Sequence, residues 1–404
     1  MPDFFTPSAL LDAFSLFCLV GWSAMFLRAA YMKRAIPALD AIKPLDAATP
    51  KPLVSIVVPA CNEAAKIRAS LQSLLRQDYP RFELIVINDR STDETGDIIN
   101  DLAKQDARIK AIHVTVLPSG WLGKNHANQK GVEASSGEYI LFTDADILFA
   151  PDTLSKTVAY AETQRAKHIV IYPKMLAEHI LEEAFIALFA LLFTWKFSPT
   201  GAKNPNNQSA YIGVGAFNFI KRDLYEAFGG HRMLKSEVAD DVMLGYYVKR
   251  QREGTHVLGG DSMVSVRWRN GLWDSVRGIE RSAFPGVNFS WGWVLIGIAG
   301  TLGGLVAPYW LPMLPNGFAQ ACGGVSIGLI FLVYALRRPA LKALAYTALH
   351  PLMSLLFLYG FLKSAIGITL RGGVEWRGTF YSIDVLRNHA PTGNVSATTE
   401  SRTA

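Results

Sequence analysis

The chain has 404 residues, half of them hydrophobic, and a formal net charge of +6. Its basic residues gather beside apolar runs, and its polar part shows no interleaved aromatic and basic side chains, so the charge indicates anionic lipid headgroups rather than nucleic acid as a partner. The three cysteines lie far apart and the eight histidines have no metal-ligand spacing, which argues against a disulfide framework and a zinc site.

An apolar run near the N-terminus predicts a membrane anchor. Residues 9–27 contain one charge, Asp12, and are long enough to cross a hydrocarbon core of about 30 Å as a helix. Lysine and arginine follow the run but are absent from residues 1–8, so the positive-inside rule places the body of the protein in the cytoplasm, and a cleaved signal peptide is disfavoured. We predict an anchor and cytoplasmic linker over residues 1–51.

Three further apolar runs predict a C-terminal transmembrane region over residues 286–372, and hence a multi-pass protein of the cell (inner) membrane. The runs cover residues 289–314, 319–336 and 343–370. The first two read as a hairpin that crosses and returns. The third run is either a straight crossing or a re-entrant or interfacial segment broken at His350 and Pro351, and the sequence leaves the side of the C-terminus open. Residues 373–404 form a C-terminal segment whose polar tail, residues 390–404, is predicted to be disordered.

Between the apolar ends, short apolar runs alternate with amphipathic stretches, the pattern of a parallel α/β sheet. The predicted strands cover residues 53–58, 82–87, 111–117 and 138–143, and the predicted helices cover residues 63–77, 93–105 and 123–135. Ligands of such sheets bind beyond the carboxyl ends of the strands, so the residues that follow each strand are the candidates for a site.

Acidic residues follow three of these strands: Glu63, Asp89, and the pair Asp144 and Asp146. Ser91 and Glu94 also fit a helix capping box, which is a structural role. No lysine lies within several residues of the pair along the chain, and two close carboxylates repel each other unless a cation joins them. A hard divalent ion, Mg²⁺ or Mn²⁺, is the natural partner, and it usually brings a diphosphate with it.

Six segments in order resemble the family-two glycosyltransferases, which have the GT-A fold. They are SIVVPACNE, VINDRSTDET, GWLGKNHANQKG, FTDADI, GAFNFIKRDLYEAFGGH and EVADDVMLG. The resemblance implies an α/β, Rossmann-like, nucleotide-sugar-binding domain over residues 52–285, joined to transmembrane helices. Within the family, the chain looks nearest to the lipid glycosyltransferases of the ceramide glucosyltransferase type and the bacterial hopanoid- and carotenoid-associated type. GWLGKNHA and GGVEWRGTFY point to the bacterial branch.

The resemblance implies roles for the donor-site residues. Glu63 and Asp89 would hold the uridine and ribose of a UDP-sugar. Lys124, with Asn128 one turn later on the same helix face, would approach the nucleotide. Asp144 and Asp146 would be the DxD pair that binds Mg²⁺ or Mn²⁺ on the diphosphate.

The resemblance also implies catalytic residues. Asp241 matches the general base of the family's ED motif, and Asp240 stands where glutamate is usual, so it stays open which of the two is the base. Arg267 and Trp268 keep part of a (Q/R)xxRW signature whose first position is Val264 here. Arg281, shortly before a membrane run, is the alternative and favoured arginine for the leaving diphosphate.

A long apolar stretch at about residues 179–197 predicts an interfacial helix in the headgroup layer, which favours a lipid acceptor over a soluble one. The sequence therefore predicts an inverting membrane glycosyltransferase that moves a sugar from a UDP-sugar to a lipid hydroxyl on the cytoplasmic side. The alternatives are a processive polysaccharide synthase and an inactive, glycosyltransferase-like membrane scaffold.

Overall fold

The centre of the molecule is a mixed sheet of eight strands. The structure, a computed structural model, describes residues 6–46, 48–376 and 379–387, so the predicted disordered tail lies outside the described residues. The strands are β1 Val54–Ala60, β2 Phe82–Asp89, β3 Ile109–Val114, β4 Tyr139–Phe142, β5 Ile147–Phe149, β6 His168–Met175, β7 Asn218–Lys221 and β8 His256–Val266. Their order across the sheet is β3-β2-β1-β4-β7-β6-β8-β5. Strands β1 to β4 are parallel, as predicted, whereas β7 runs antiparallel to β4 and β6.

Helices cover both faces of this sheet. The helices of the catalytic body are α2 Ile67–Leu75, α3 Thr95–Gln105, α4 Gly123–Glu133, α5 Thr153–Gln164, α7 Pro199–Ala202, α8 Arg222–Ala227 and α9 Asp240–Arg250. Alternate residues of β1 face opposite sides: Ile56 packs in the cluster that contains residues of α2 and α3, and Val57 packs in the cluster that contains Ala127 of α4. Because both faces of β1 are covered, its sequence is apolar except for Ser55, whose hydroxyl donates to Glu83 at 2.7 Å.

The predicted capping box at the start of α3 is not formed. Glu94 is the N-cap residue, but its side chain makes no capping hydrogen bond. Ser91 Oγ instead accepts a hydrogen bond from the backbone N–H of Asn62 at 3.0 Å. Asn62 is in the loop after β1, and Ser91 is in the loop after β2. The side chain therefore ties two loops at the carboxyl edge of the sheet together.

Apolar helices lie beside the sheet, four of them long and apolar enough to cross a membrane. These four are α1 Pro7–Ala35, the helix Trp291–Tyr309, which begins with α11 Trp291–Ala299, α12 Gly317–Ala335 and α13 Ala340–Arg371. One polar contact in this bundle joins α1 to the residue before α12. Asp12, the one charge of the first apolar run, accepts a hydrogen bond from Asn316 at 2.9 Å, which lowers the cost of burying a charge in an apolar layer.

Of the two alternatives for the third apolar run, the break at His350 and Pro351 does not occur, because α13 continues through both residues. Proline removes the N–H that would bond the carbonyl four residues earlier, here that of Thr347. The hydroxyl of Tyr309 donates to that carbonyl at 2.7 Å, so the helix keeps its hydrogen bonding without breaking.

Two amphipathic helices join the bundle to the catalytic sheet: α6 Ile180–Lys196, close to the predicted interfacial helix, and α10 Leu272–Ser282. Both halves of α13 are held against them, since Lys342 pairs with Glu183 of α6 at 2.8 Å and Lys363 pairs with Glu280 of α10 at 3.0 Å. After α13 the chain forms a two-stranded hairpin and a short helix, β9 Gly373–Trp376, β10 Thr379–Ser382 and α14 Ile383–Arg387.

Candidate active site

Three carboxylates surround one lysine at the carboxyl edge of the sheet. Asp144 follows β4, Lys124 lies in the first turn of α4, and Asp240 and Asp241 begin α9. Lys124 Nζ is 2.9 Å from Asp144 Oδ1 and 3.4 Å from Asp240 Oδ1. The cavity that these residues line measures only about 10 Å³, because the ammonium group fills the space between the carboxylates.

The protonation of this cluster follows from its burial and its charges. Burial alone would lower the pKa of Lys124, but Asp144, Asp240 and Asp241 together raise it above its ordinary value, so the lysine stays charged. Burial also raises the pKa of Asp240 to about 6, an effect that the Lys124 ammonium opposes and that Asp241 and Asp144 increase. Asp240 is therefore an electrostatic partner of the lysine in a crowded acidic site.

Asp241 differs from its neighbour because it has no ion pair among the described residues. Its Oδ1 accepts a hydrogen bond from the next backbone N–H, that of Val242, at 2.9 Å. An aspartate at the first turn of a helix also interacts favourably with the helix dipole.

A buried polar network fixes the backbone at Asp241. Asn218 of β7 donates from Nδ2 to the Asp241 carbonyl at 3.2 Å, and its Oδ1 lies 2.6 Å from Nε2 of His168. The other ring nitrogen of His168 lies 2.9 Å from the hydroxyl of Thr255. The sequence analysis missed this network, because its members are separated by tens of residues and show no local motif.

Two glycines allow the loop before β7 to approach the cluster. A Cβ on Gly213 would overlap the backbone carbonyl of Asp241, and a Cβ on Gly215 would lie 2.8 Å from Asp144 Oδ2. The sequence signal was present in the run IGVGAFN, where two glycines flank one valine just before a strand. Because these two residues have no side chain, the loop leaves room for Asp241 of α9 and Asp144, which follows β4, to lie close together.

Asp146, the second aspartate of the predicted DxD pair, has a cation partner of its own. Lys66, the residue just before α2, places Nζ 3.0 Å from Asp146 Oδ2. The absence of a nearby lysine along the sequence is therefore no guide to the folded site, since Lys66 and Lys124 reach the two aspartates from distant positions. Each carboxylate already has a cation beside it.

The donor atoms present fit a hard divalent ion. Among the residues that the structure describes, no group of three or more His, Cys, Asp and Glu side chains could enclose a metal ion. Mg²⁺ does not need such a cage, because it is usually bound by one or two carboxylates together with substrate phosphates. The lysine ammonium between Asp144 and Asp240 shows that this position attracts cations, and carboxylate oxygens are the ligands that Mg²⁺ and Mn²⁺ prefer.

The predicted nucleotide residues line the same edge of the sheet. Asp89 ends β2, is 2% exposed, and contacts α4 so closely that a Cβ on Gly123 would overlap its carboxylate. Arg90 binds both Asp89 oxygens, through Nε at 2.8 Å and Nη2 at 3.1 Å. The backbone N–H of Glu63 donates to Thr95 Oγ1 at 2.8 Å, which fixes the loop after β1 against the start of α3.

Asn128 lies one turn after Lys124 on α4 and lines the same small cavity. It is 1% exposed, and its Nδ2 lies 3.2 Å from Nε2 of His231, whose other ring nitrogen lies 2.8 Å from the hydroxyl of Tyr225. Burial first, and then the charge of Lys124, lowers the pKa of His231 to about 3. His231 is therefore neutral and serves to hold Asn128.

The candidate arginines for the leaving group are placed differently. Arg267 pairs through Nη1 with Glu178 at 2.5 Å, and Trp268 stacks on Phe189 of α6 with ring centroids 4.7 Å apart. Arg281 belongs to the last turn of α10, and its side chain lies outside the described residues. The guanidinium of Arg267 is thus committed to Glu178 in this structure.

The C-terminal segment also reaches the site. Val238, two residues before Asp240, packs against an apolar cluster that includes Phe284, Val374 and Leu386. The hairpin and α14 therefore support the loop that carries the two aspartates. The sequence had marked this segment by its GGVEWRGTFY motif without indicating a position for it.

A mixed α/β sheet with acidic residues at the carboxyl ends of its parallel strands defines the class as the GT-A glycosyltransferases. Residues 55–229 match the model of the glycosyl transferase family 2 domain, as the family resemblance predicted. The predictions of fold class and enzyme class are confirmed.

Comparison with individual proteins agrees with this assignment. The chain is 25% identical over 340 residues to 4,4'-diaponeurosporenoate glycosyltransferase of Staphylococcus aureus (strain MRSA252), which covers 82% of this chain and 88% of that protein. Among solved structures, the mannosyltransferase PcManGT from Pyrobaculum calidifontis in complex with GDP-Man and Mn²⁺ superposes with a TM-score of 0.54 at 20% identity. That superposition covers 89% of this chain and 99% of PcManGT.

Proposed function

We propose that this glycosyltransferase transfers a sugar from a UDP-sugar to the hydroxyl group of a membrane lipid, with inversion at the anomeric carbon. The observation that carries the proposal is the unpaired carboxylate of Asp241 beside the cluster of Asp144, Lys124 and Asp240. A site with a free base next to a cation-binding diphosphate position has what an inverting displacement requires.

The donor binds along the carboxyl edge of the sheet. Asp89 and Glu63 contact the uridine and ribose, and Lys124 exchanges part of its contact with Asp144 for the diphosphate. Asp144 and Asp146 would hold Mg²⁺ or Mn²⁺, and the ion would offset the negative charge that grows on the leaving diphosphate. The complex of PcManGT with GDP-Man and Mn²⁺ supports the use of a divalent ion in this fold.

The base residue acts on the acceptor. The lipid hydroxyl oxygen attacks the anomeric carbon from the face opposite the diphosphate, its proton passes to Asp241, and the bond between the anomeric carbon and the diphosphate oxygen breaks. Asp240 keeps Lys124 in place during this step. Because Arg267 is paired with Glu178, Arg281 is the arginine that we assign to the leaving diphosphate, and Trp268 supports α6 beside the acceptor path.

The acceptor reaches the site from the membrane side. Helix α6 exposes Ile180, Leu181 and Trp195 by 41% or more, and four apolar helices associate the chain with a membrane. The name of the Staphylococcus aureus relative gives 4,4'-diaponeurosporenoate as its acceptor, which supports an apolar acceptor here. We place the catalytic body in the cytoplasm, because basic residues follow the first apolar run and none precedes it.

Release of nucleotide tests this proposal. The purified protein in detergent is given a panel of UDP-sugars and GDP-sugars with Mg²⁺, Mn²⁺ or EDTA, and free UDP and GDP are measured with and without bacterial lipid extract. We expect one UDP-sugar to be consumed only when both metal and lipid are present. Consumption of a GDP-sugar would overturn the donor, and consumption without lipid that yields polymer would favour a processive synthase. Absence of any nucleotide binding would favour the scaffold alternative.

A further inference from the structure

A second cavity lies away from the carboxylate cluster. It has a volume of about 360 Å³ and is lined by Asn206, Gln208, Arg250 and Arg252. Arg250 is the last residue of α9, whose first residues are Asp240 and Asp241. An 11-residue helix is about 16 Å long, so this cavity and the site of transfer are at opposite ends of one element.

The cavity is strongly basic. Arg250 and Arg252 are both exposed, and neither makes an ion pair among the described residues. The nearest acidic residue in sequence, Glu253, is already paired with Lys167 at 2.7 Å and does not neutralise them. Two unpaired guanidinium groups beside two amide side chains present hydrogen-bond donors to one space.

The backbone at this cavity is strained. Arg252 has a φ of 57°, a left-handed conformation that costs a residue other than glycine about 1 kcal/mol. Such strain is kept only where the surrounding structure or a ligand favours it. Here the conformation brings Arg252 to the same cavity as Arg250.

The position of the cavity relates it to the membrane surface. Asn206 and Gln208 lie on the loop that follows α6 and α7, and buried Lys249 binds the carbonyls of Ala202 and Asn204 in that loop. Ala202 packs in a cluster with Ile36, the residue that follows α1, and with Phe193 of α6. The loop is therefore fixed beside the end of an apolar helix and beside the amphipathic helix α6.

We propose that this cavity binds a phosphate-class anion through Arg250 and Arg252. Guanidinium groups bind phosphate with paired, charge-assisted hydrogen bonds, and the amide of Asn206 adds a neutral donor. The amide nitrogen of Gln208 already donates to the Pro205 carbonyl at 2.8 Å, which fixes this wall of the cavity. The same phosphate chemistry is offered by a lipid headgroup at the membrane surface and by a free phosphate, and the test separates these two sources.

Thermal unfolding of the full chain in uncharged detergent provides the test, because a ligand that binds the folded state raises Tm in a saturable manner. The probes are phosphatidylglycerol, with diacylglycerol as the uncharged lipid, and inorganic phosphate, with chloride at equal ionic strength. We expect a saturable rise in Tm that Arg250→Gln together with Arg252→Gln weakens by about tenfold or more in half-saturating concentration.

Two further variants keep the outcome interpretable. Arg252→Gly preserves the left-handed backbone while removing the guanidinium, so it folds without strain and still loses affinity. Arg165→Gln is a matched control, since Arg165 is an exposed arginine with a φ of 51° that does not line the cavity. A saturable rise in Tm with phosphatidylglycerol alone would identify a lipid headgroup as the ligand of the cavity. A saturable rise with inorganic phosphate would identify free phosphate as the ligand. No saturable response to either probe, or an equal response in the double variant, would overturn the proposal.

Discussion

Asp240 and Asp241 are adjacent in sequence but have different surroundings. Asp240 is 7% exposed and lies within 4 Å of the Lys124 ammonium, whereas Asp241 has no ion pair among the described residues. The sequence alone left open which of the two is the base. The folded structure favours Asp241, because the Asp240 carboxylate is already engaged by the Lys124 ammonium, whereas the Asp241 carboxylate is available to an acceptor hydroxyl.

Replacing Asp241 by asparagine tests this assignment at the residue scale. The change keeps the side-chain shape and removes the proton acceptor, so we expect sugar transfer to fall by about 10²-fold or more. Binding of UDP in the presence of Mn²⁺, measured by calorimetry, should change by less than about twofold, since Asp241 does not hold the nucleotide. Transfer near the wild-type rate would contradict the role of Asp241 as base.

Glu237 predicts a pH dependence of stability. Burial raises its pKa to about 7, and its Oε1 is buried with no hydrogen-bond partner among the described residues. An unfolded glutamate has a pKa of about 4.3. The folded state therefore holds this proton more tightly, and the stability that results is complete below about pH 4.3 and is lost as the pH rises through about 7.

The variant Glu237→Gln should remove this dependence. We expect the difference in Tm, wild type minus variant, to decrease as the pH rises from 5 to 8. Unfolding is followed by the change in intrinsic fluorescence. Glu226→Gln is the control, because the Glu226 side chain is 62% exposed. A constant difference in Tm between the wild type and Glu237→Gln across this range would show that the carboxyl is not protonated preferentially in the folded state.

Single residues show where sequence reasoning succeeded and where it could not. Asp89 and Asp144 were predicted from their positions after strands, because parallel topology brings those positions to one edge, whereas Lys124 was predicted from the family resemblance. Lys66 and Asn218 were missed, since their contacts with Asp146 and with the Asp241 carbonyl depend on tertiary geometry. No local pattern of residues encodes such contacts.

At the scale of elements, the start of α9 depends on a glycine in the neighbouring loop. A Cβ on Gly213 would overlap the Asp241 carbonyl, so the helix must move to accept it. We expect Gly213→Ala to reduce kcat for transfer by about tenfold or more, because a small displacement of a catalytic group is costly. In the control Gly259→Ala, the new Cβ first meets an atom at 3.8 Å, and its kcat should be close to that of the wild type.

Helix α13 makes a second prediction at this scale. The Tyr309 hydroxyl satisfies the Thr347 carbonyl that Pro351 leaves without a donor. Tyr309→Phe leaves a buried carbonyl unsatisfied, at a cost of about 1–3 kcal/mol. We expect Tyr309→Phe to have a lower Tm in detergent than the control Tyr359→Phe, which changes a tyrosine of α13 that is 49% exposed. Equal Tm values would mean that the carbonyl has another partner.

A break at Pro351 stayed open as an alternative for the same reason that Lys66 was missed, because the deciding contact depends on tertiary geometry. Proline within an apolar run indicates a break when only the run itself is considered, because the lost hydrogen bond has no visible replacement. The replacement comes from Tyr309, 42 positions before Pro351 in the sequence, and its approach is set by helix packing. The length and apolarity of α13 were predictable, but its continuity was not.

At the scale of the whole molecule, the architecture followed from periodicity. Four parallel strands with intervening helices, and four apolar helices, occur where the alternation and the apolar runs predicted them. The antiparallel insertion of β7 between β4 and β6 was not predicted, because strand order depends on long-range pairing. That insertion brings Asn218 and the glycine loop to the carboxylate cluster.

The arrangement of the whole molecule also explains why a lipid acceptor is proposed. Helices α6 and α10 pack with α13 in one apolar cluster, and Phe193 of α6 packs against a second cluster that includes Val170 of β6. Val238 of the base loop packs in the same cluster as residues that follow α13. The loop that carries Asp241 is thus built partly on the apolar helices. A site constructed in this way is suited to an acceptor that stays in the membrane.

The most direct measurement is mass spectrometry of lipids after reaction with the purified protein, a UDP-sugar panel, Mg²⁺ or Mn²⁺ and a bacterial lipid extract, beside Asp241→Asn. The account predicts that one lipid gains the mass of one sugar residue with the wild type and not with the variant. A product in which many sugars are joined, or a gain of mass that persists in Asp241→Asn, would contradict it.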